Sequence, residues 1–176
     1  SPEGESLFAY YIVRRLDAEV LIDAICQFTQ TTESYSSPIP EPFTYVPENQ
    51  RSITLADGSI TSPFLEMFGR PPRDTGLESE RGTQVSSAQR LHLLNSTHIQ
   101  RKIENADWLR DIPRSRRNAR GEVVETVYLS ILSRYPTSEE LDIIRNYVDS
   151  SGLWPRLVLN DLAWALINTK EFLYRH

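Results

Sequence analysis

Helix punctuation constrains this chain most, and it is densest in residues 62–103, SPFLEMFGRPPRDTGLESERGTQVSSAQRLHLLNSTHIQRKI. Ser62-Pro63 reads as an N-cap followed by proline at the first helical position, with Gly69 closing the short helix. Pro71-Pro72 forbids its continuation. Ser86-x-x-Gln89 is a capping box that opens a helix to about Leu94, where Asn95-Ser96 stops it and starts the next. A chain that marks helix ends this often is expected to be mainly α.

The flanking segments extend the pattern. Asp17 is placed to cap a helix over AEVLIDAICQFTQ, with Leu16 and Leu21 at the positions of a hydrophobic staple and Leu21, Ile22, Ile25 and Phe28 on one stripe. Residues 31–47 carry Pro38, Pro40, Pro42 and Pro47 without helical period and read as an extended coil. Ser52–Leu55 and Ser59–Thr61 flank Ala56-Asp57-Gly58, the pattern of a small hairpin. Val123, Val124, Val127, Tyr128, Ile131 and Leu132 form an amphipathic stripe that Pro136 ends. Thr137-x-x-Glu140 is a second capping box, and Gly152 is the stop of its helix. Residues 157–167 are apolar except for Asn160 and Asp161, so the most buried helix is expected there, with Trp154-Pro155 at its entry and Asp161 paired to an arginine. Asn168-Thr169 repeats the joint at Asn95-Ser96.

The expected fold is therefore mainly α: a single helical domain, 1–176, with helix–Asn–helix corners and a Pro-rich coil and small β-hairpin insertion in its first half. Residues 1–83 would form the helix plus extended/hairpin lobe and 84–176 the helical lobe. At 176 residues a core of ordinary size is within reach. The opening Ser1-Pro2-Glu3-Gly4 has no start Met or basic n-region and reads as an excised domain or processed product. No apolar run approaches the roughly 18 residues of a membrane span. A net charge of −5 argues against nucleic acid as a partner.

Of the 19 basic residues only Lys102 and Lys170 are lysines, so forked arginine–carboxylate pairing is expected. The candidate ligand site is the tract holding Arg70, Arg73, Glu78, Glu80 and Arg81, joined by Arg15 if the start of the first helix converges on it. There guanidinium forks would hold an anionic or hydroxyl-rich ligand while a carboxylate serves as base; the alternative is a salt-bridge network pinning an irregular segment. Arg114, Arg116 and Arg117 crowd a loop around Pro113 and are the candidate docking residues for an acidic partner. His92 and His98 lie six apart without a metal motif, so capping or packing is expected of them, with no metal and no cofactor. The single cysteine, Cys26, falls on the first apolar stripe and reads as a small core residue. No catalytic set is identified.

Six ordered segments, RRLDAEVL (14–21), FGRP (68–71), ESER (78–81), LLNS (93–96), LSRYPT (132–137) and ALINTKEF (165–172), make the chain resemble the planctomycete surface domain, a bacterial family of unknown function. Some relatives read Cys-Glu-Cys-Glu-Arg where this chain has Leu77-Glu78-Ser79-Glu80-Arg81, a departure that argues against a thiol or metal role here. The resemblance implies a C-terminal module of a large exported protein, periplasmic or at the cell surface. It further implies upstream domains as partners, often including a c-type cytochrome-like module, and carbohydrate as an alternative partner. The expected role is that of a non-catalytic module for binding or assembly. The alternatives are part of an enzyme acting on carbohydrate or another anionic substrate through the Arg70–Arg81 tract, and a dock for a cytochrome-like domain.

Overall fold

The structure is a computed structural model and describes residues 13–56, 58–71, 81–82, 84–111, 119–153 and 155–174, without the side chains of 110, 111, 119, 120 and 155. It is mainly helical, as expected. The elements in order are α1 (Ala18–Thr29), a 3-10 helix (Ser52–Thr54), α2 (Pro63–Met67), α3 (Ser87–Asn95) and α4 (Thr97–Glu104). They continue with α5 (Asp107–Asp111), α6 (Ala119–Leu132), α7 (Ser138–Ser151), α8 (Pro155–Ile167) and α9 (Lys170–Leu173). Among the described residues no helix is long and apolar enough to cross a membrane.

The caps behave as cap chemistry dictates. Ser62 accepts from the Leu65 amide and opens α2, and Ser86 and Gln89 satisfy each other's backbone reciprocally at α3. Thr137 and Glu140 do the same at α7, which ends on Gly152 in the left-handed region. The two corners share one construction: Ser96 accepts from Ile99 N and Thr169 from Phe172 N, each directly after an asparagine. Trp164 of α8 donates its indole N–H to the Leu94 carbonyl at 3.1 Å and so ties the second corner's helix to the first corner.

Four local expectations need correction. Asp17 occupies the N-cap position of α1, but its side chain makes no capping hydrogen bond. No hairpin forms: residues 52–54 make a 3-10 turn because the Asp23 carboxylate takes the Ser52 and Ile53 amides at 2.7 and 3.0 Å, which favours a helical turn over an extended strand. Thr61 instead bridges Ser36, exchanging two backbone hydrogen bonds of 2.9 Å. The most buried helix is α1, whose Leu21, Ile22 and Ile25 are fully buried, while Leu157 of α8 is 45% exposed. Asp161 is exposed and accepts from the Tyr147 hydroxyl at 2.7 Å, so its partner is a phenol and not an arginine.

α1 lies at the centre, packed against the 3-10 turn, α2, α4 and α6, and α8 closes the other side against α4, α5, α6 and α9. The core runs from Leu21 and Ile25 through the stacked rings of Phe64 and Phe68 to Ile99, Val127 and Ile167. Trp108 meets Phe28 edge-on at 5.4 Å and donates to its carbonyl at 2.6 Å. The segment before α1 runs beside the C-terminal one, with Leu16 N donating to Leu173 O at 2.9 Å and Arg15 bridged to Tyr174.

Candidate functional site

The start of α1 and the segment after α2 do converge. Glu19, in the first turn of α1, is buried and takes both arms of Arg81, at 2.6 and 3.2 Å, while the Nε of Arg70 stands 3.4 Å away. The three side chains are 9%, 18% and 9% exposed for Glu19, Arg81 and Arg70, so among the described residues this is a desolvated cluster in which two guanidiniums share one carboxylate. Arg70 also donates to the Ile60 carbonyl.

Arg15 lies alongside, with its guanidinium over the Phe68 ring at 5.4 Å and donating to the carbonyls of Phe68 (2.9 Å) and Gly82 (3.4 Å) and to Gln89 Oε1. Its Nε is buried without a hydrogen-bond partner among the described residues, and burial lowers its pKa from the ordinary value, offset in part by Tyr174 and Asp17. The Gln89 side chain makes three hydrogen bonds. Its Oε1 completes the α3 capping box on Ser86 N and receives Arg15, while its Nε2 donates to Met67 O at 2.8 Å. Gly69, at φ +90°, approaches Gly82 so closely that a Cβ there would run into the Gly82 carbonyl. The arginines thus fasten an irregular segment by its carbonyls. Arg73, Glu78 and Glu80 lie outside the described residues, as do Arg114, Arg116 and Arg117.

Sequence reasoning missed two further constellations. The first links His92, His98, Glu33, Lys102 and Cys26. His98 Nε2 lies 3.0 Å from Glu33 Oε2 and its Nδ1 lies 3.4 Å from His92 Nε2, a geometry in which His92 donates to His98 and His98 to Glu33. Lys102 Nζ reaches Glu33 (3.1 Å), the Thr32 carbonyl (2.7 Å) and Cys26 Sγ (3.4 Å). Burial by itself raises the Glu33 pKa, but the bonds from His98 and Lys102 outweigh it and hold the carboxyl below its ordinary value. Burial and the neighbouring His98 push His92 down, and burial pushes the Cys26 thiol up against the opposing pull of Lys102. The only sequence signal was the four-residue spacing of His98 and Lys102 on α4; Glu33 is 65 residues from His98.

The second is a clamp at Arg134, which holds Glu140 at 2.9 and 2.8 Å and Glu171 at 2.6 and 2.9 Å while lying 5.4 Å over the Tyr128 ring. Hydrogen bonds from Arg134, helped by the Thr137 amide, hold Glu140 down to about 2 against burial, and the two glutamates raise Arg134 above its ordinary value. Glu19 and Glu140 have both carboxylate oxygens engaged by cations or amides, and Glu33 has its Oε2 engaged by His98 and Lys102, so these clusters fix segments in place. Among the described residues no group of three or more His, Cys, Asp or Glu side chains is arranged to hold a metal ion.

The family model described as PSD1, protein of unknown function (DUF1553), matches residues 2–148 of the chain. No curated protein matches it, and no solved structure does. The match bears out the resemblance to the planctomycete surface domain drawn from the six ordered segments. The chain belongs to the PSD1 (DUF1553) family of proteins of unknown function.

Proposed function

We propose that this chain is a non-catalytic helical module for binding or assembly within a larger exported or envelope bacterial protein. Upstream domains of the same polypeptide are its partners, at the periplasm or cell surface. The observation that carries the reading is Glu19, the described carboxylate nearest the arginine tract, which is closed in between Arg70 and Arg81 and cannot act as a base. Exposed large apolar side chains supply contact surface for assembly, among them Phe43 (83% exposed), Tyr45 (75%), Ile143 (67%) and Tyr135 (65%).

A thermal-shift series tests it. Wild type, Arg70→Gln and Arg81→Gln are heated alone and with neutral, carboxylated and sulfated sugars. Both variants are expected to melt about 6–12 °C lower than wild type, since removing one partner of a buried pair costs roughly 3 kcal/mol or more. No sugar is expected to raise the melting temperature through these residues. A ligand-specific rise in wild type that vanishes in Arg70→Gln, with unliganded stability unchanged, would replace this reading with a substrate-binding tract.

A further inference from the structure

The segment that follows α1 and one face of α4 enclose an open cavity of about 380 Å³. Thr31 and Thr32 form one wall, and Thr97, His98, Arg101, Lys102 and Asn105 the other. The α4 residues recur at intervals of four, which places them along a single face of that helix.

Among the described residues that line this cavity, the charges do not cancel. Lys102 is 8% exposed at its side chain, and its ammonium is matched by Glu33, which is also the acceptor for His98. That single carboxylate offsets a single ammonium. Arg101 remains: it is exposed, lies on the cavity wall, and makes no ion pair or side-chain hydrogen bond among the described residues. The hydroxyls of Thr32 and Thr97 and the carboxamide of Asn105 are likewise without partners among the described residues, whereas the Thr31 hydroxyl is bonded to Thr29 at 2.8 Å.

An uncommitted guanidinium, two hydroxyl donors and an amide around one cavity match a ligand group that only accepts hydrogen bonds and carries negative charge. We propose that this cavity binds an oxyanion group, a sulfate, phosphate or carboxylate, with Arg101 as its principal ligand and Thr32, Thr97 and Asn105 completing the contacts. The guanidinium fork suits such a group because two parallel N–H donors meet two of its oxygens. These residues are separate from the arginine tract, so the outcome here leaves the reading of Arg70 and Arg81 standing or falling by its own test.

The experiment is a titration followed by backbone amide NMR shifts at constant ionic strength in chloride. Its arms are inorganic sulfate, inorganic phosphate, glucuronate and glucose 6-sulfate, and it is run on wild type, Arg101→Gln and Arg145→Gln. Arg145 lies exposed on α7, paired with Asp142 at 2.8 Å, and so controls for bulk charge. Expected are saturable shifts confined to Thr32 and to residues 97–105, weakened roughly tenfold or more in Arg101→Gln and unchanged in Arg145→Gln. The arm that saturates at the lowest concentration shows whether the anion is taken free or on a sugar. Absence of saturable shifts in all four arms, or equal weakening in both variants, would overturn the proposal.

Discussion

Two ionic clusters in this molecule are mirror images in charge. At Glu19 one carboxylate lies between two guanidiniums, and at Arg134 one guanidinium lies between two carboxylates. Their burial differs as well, with side chains 9–18% exposed in the first and 28–35% in the second. The first joins the first turn of α1 to Arg81 across 62 residues; the second fastens the ends of helices that are already capped. The difference teaches where ionic pairing matters in this fold. Water competes for the Arg134 clamp and keeps its net contribution small. The Glu19 cluster is desolvated, so the loss of Glu19 takes a shared carboxylate from two arginines whose side chains are at most 18% exposed.

The sharpest way to break the comparison is Glu19→Gln. The substitution withdraws the carboxylate that Arg70 and Arg81 share, and the expected loss is about 3–5 kcal/mol in urea unfolding. A loss near the ~1 kcal/mol of a surface pair would mean that the two clusters are energetically alike and that burial does not separate them.

Asp23→Asn probes the same region through hydrogen bonding instead of charge. The carboxylate receives two backbone amides from the 3-10 turn, and an asparagine can keep one of them only by turning its own N–H₂ toward the other. A loss of roughly 2 kcal/mol is expected, with faster hydrogen exchange at the Ser52 and Ile53 amides. The pair of Asp23 with Arg51, at 3.6 Å and with the arginine side chain 64% exposed, should matter far less, so Arg51→Ala should leave both observables close to wild type.

The division between the two regions also marks how far the sequence could be read. Ser62, Ser86 with Gln89, Thr137 with Glu140, and Gly152 were legible because a cap is decided within three or four residues. The Asn95-Ser96 and Asn168-Thr169 corners were legible for the same reason. The segment around residues 52–61 was misread because its conformation is set by Asp23, 29 residues from Ser52, and by the pairing of Ser36 with Thr61. The apolar run of 157–167 was read as the deepest element, but composition does not reveal that α1 is the helix enclosed on several sides. At the candidate site, Arg15, Arg70 and Arg81 were legible as residue types in a dense tract. That Glu19 closes them off, and that Glu33 gathers His98 and Lys102, are tertiary facts without a local signature.

The smallest expected effect sharpens the comparison by pH. Glu140 is held down to about 2 from an ordinary 4.5, so its contribution is complete above the ordinary value and is lost as pH falls from there toward 2. Arg134→Gln removes the main cause of that depression and leaves the Thr137 amide, so Glu140 should return toward its ordinary value. With the clamp a third exposed, the variant is expected to lose only about 1 kcal/mol at pH 7 after allowance for solvent screening. The deficit relative to wild type should shrink between pH 4.5 and 2, because the contribution of Glu140 is lost as the pH falls from its ordinary value toward its depressed one; urea midpoints of both proteins at pH 7, 4 and 2.5 measure it. Comparing the two proteins at each pH cancels the other carboxylates that titrate over the same range. A deficit that persists undiminished at pH 2.5 would show that Arg134 acts through its packing on Tyr128, which does not titrate there, and that the resemblance between the two clusters is one of geometry and not of charge.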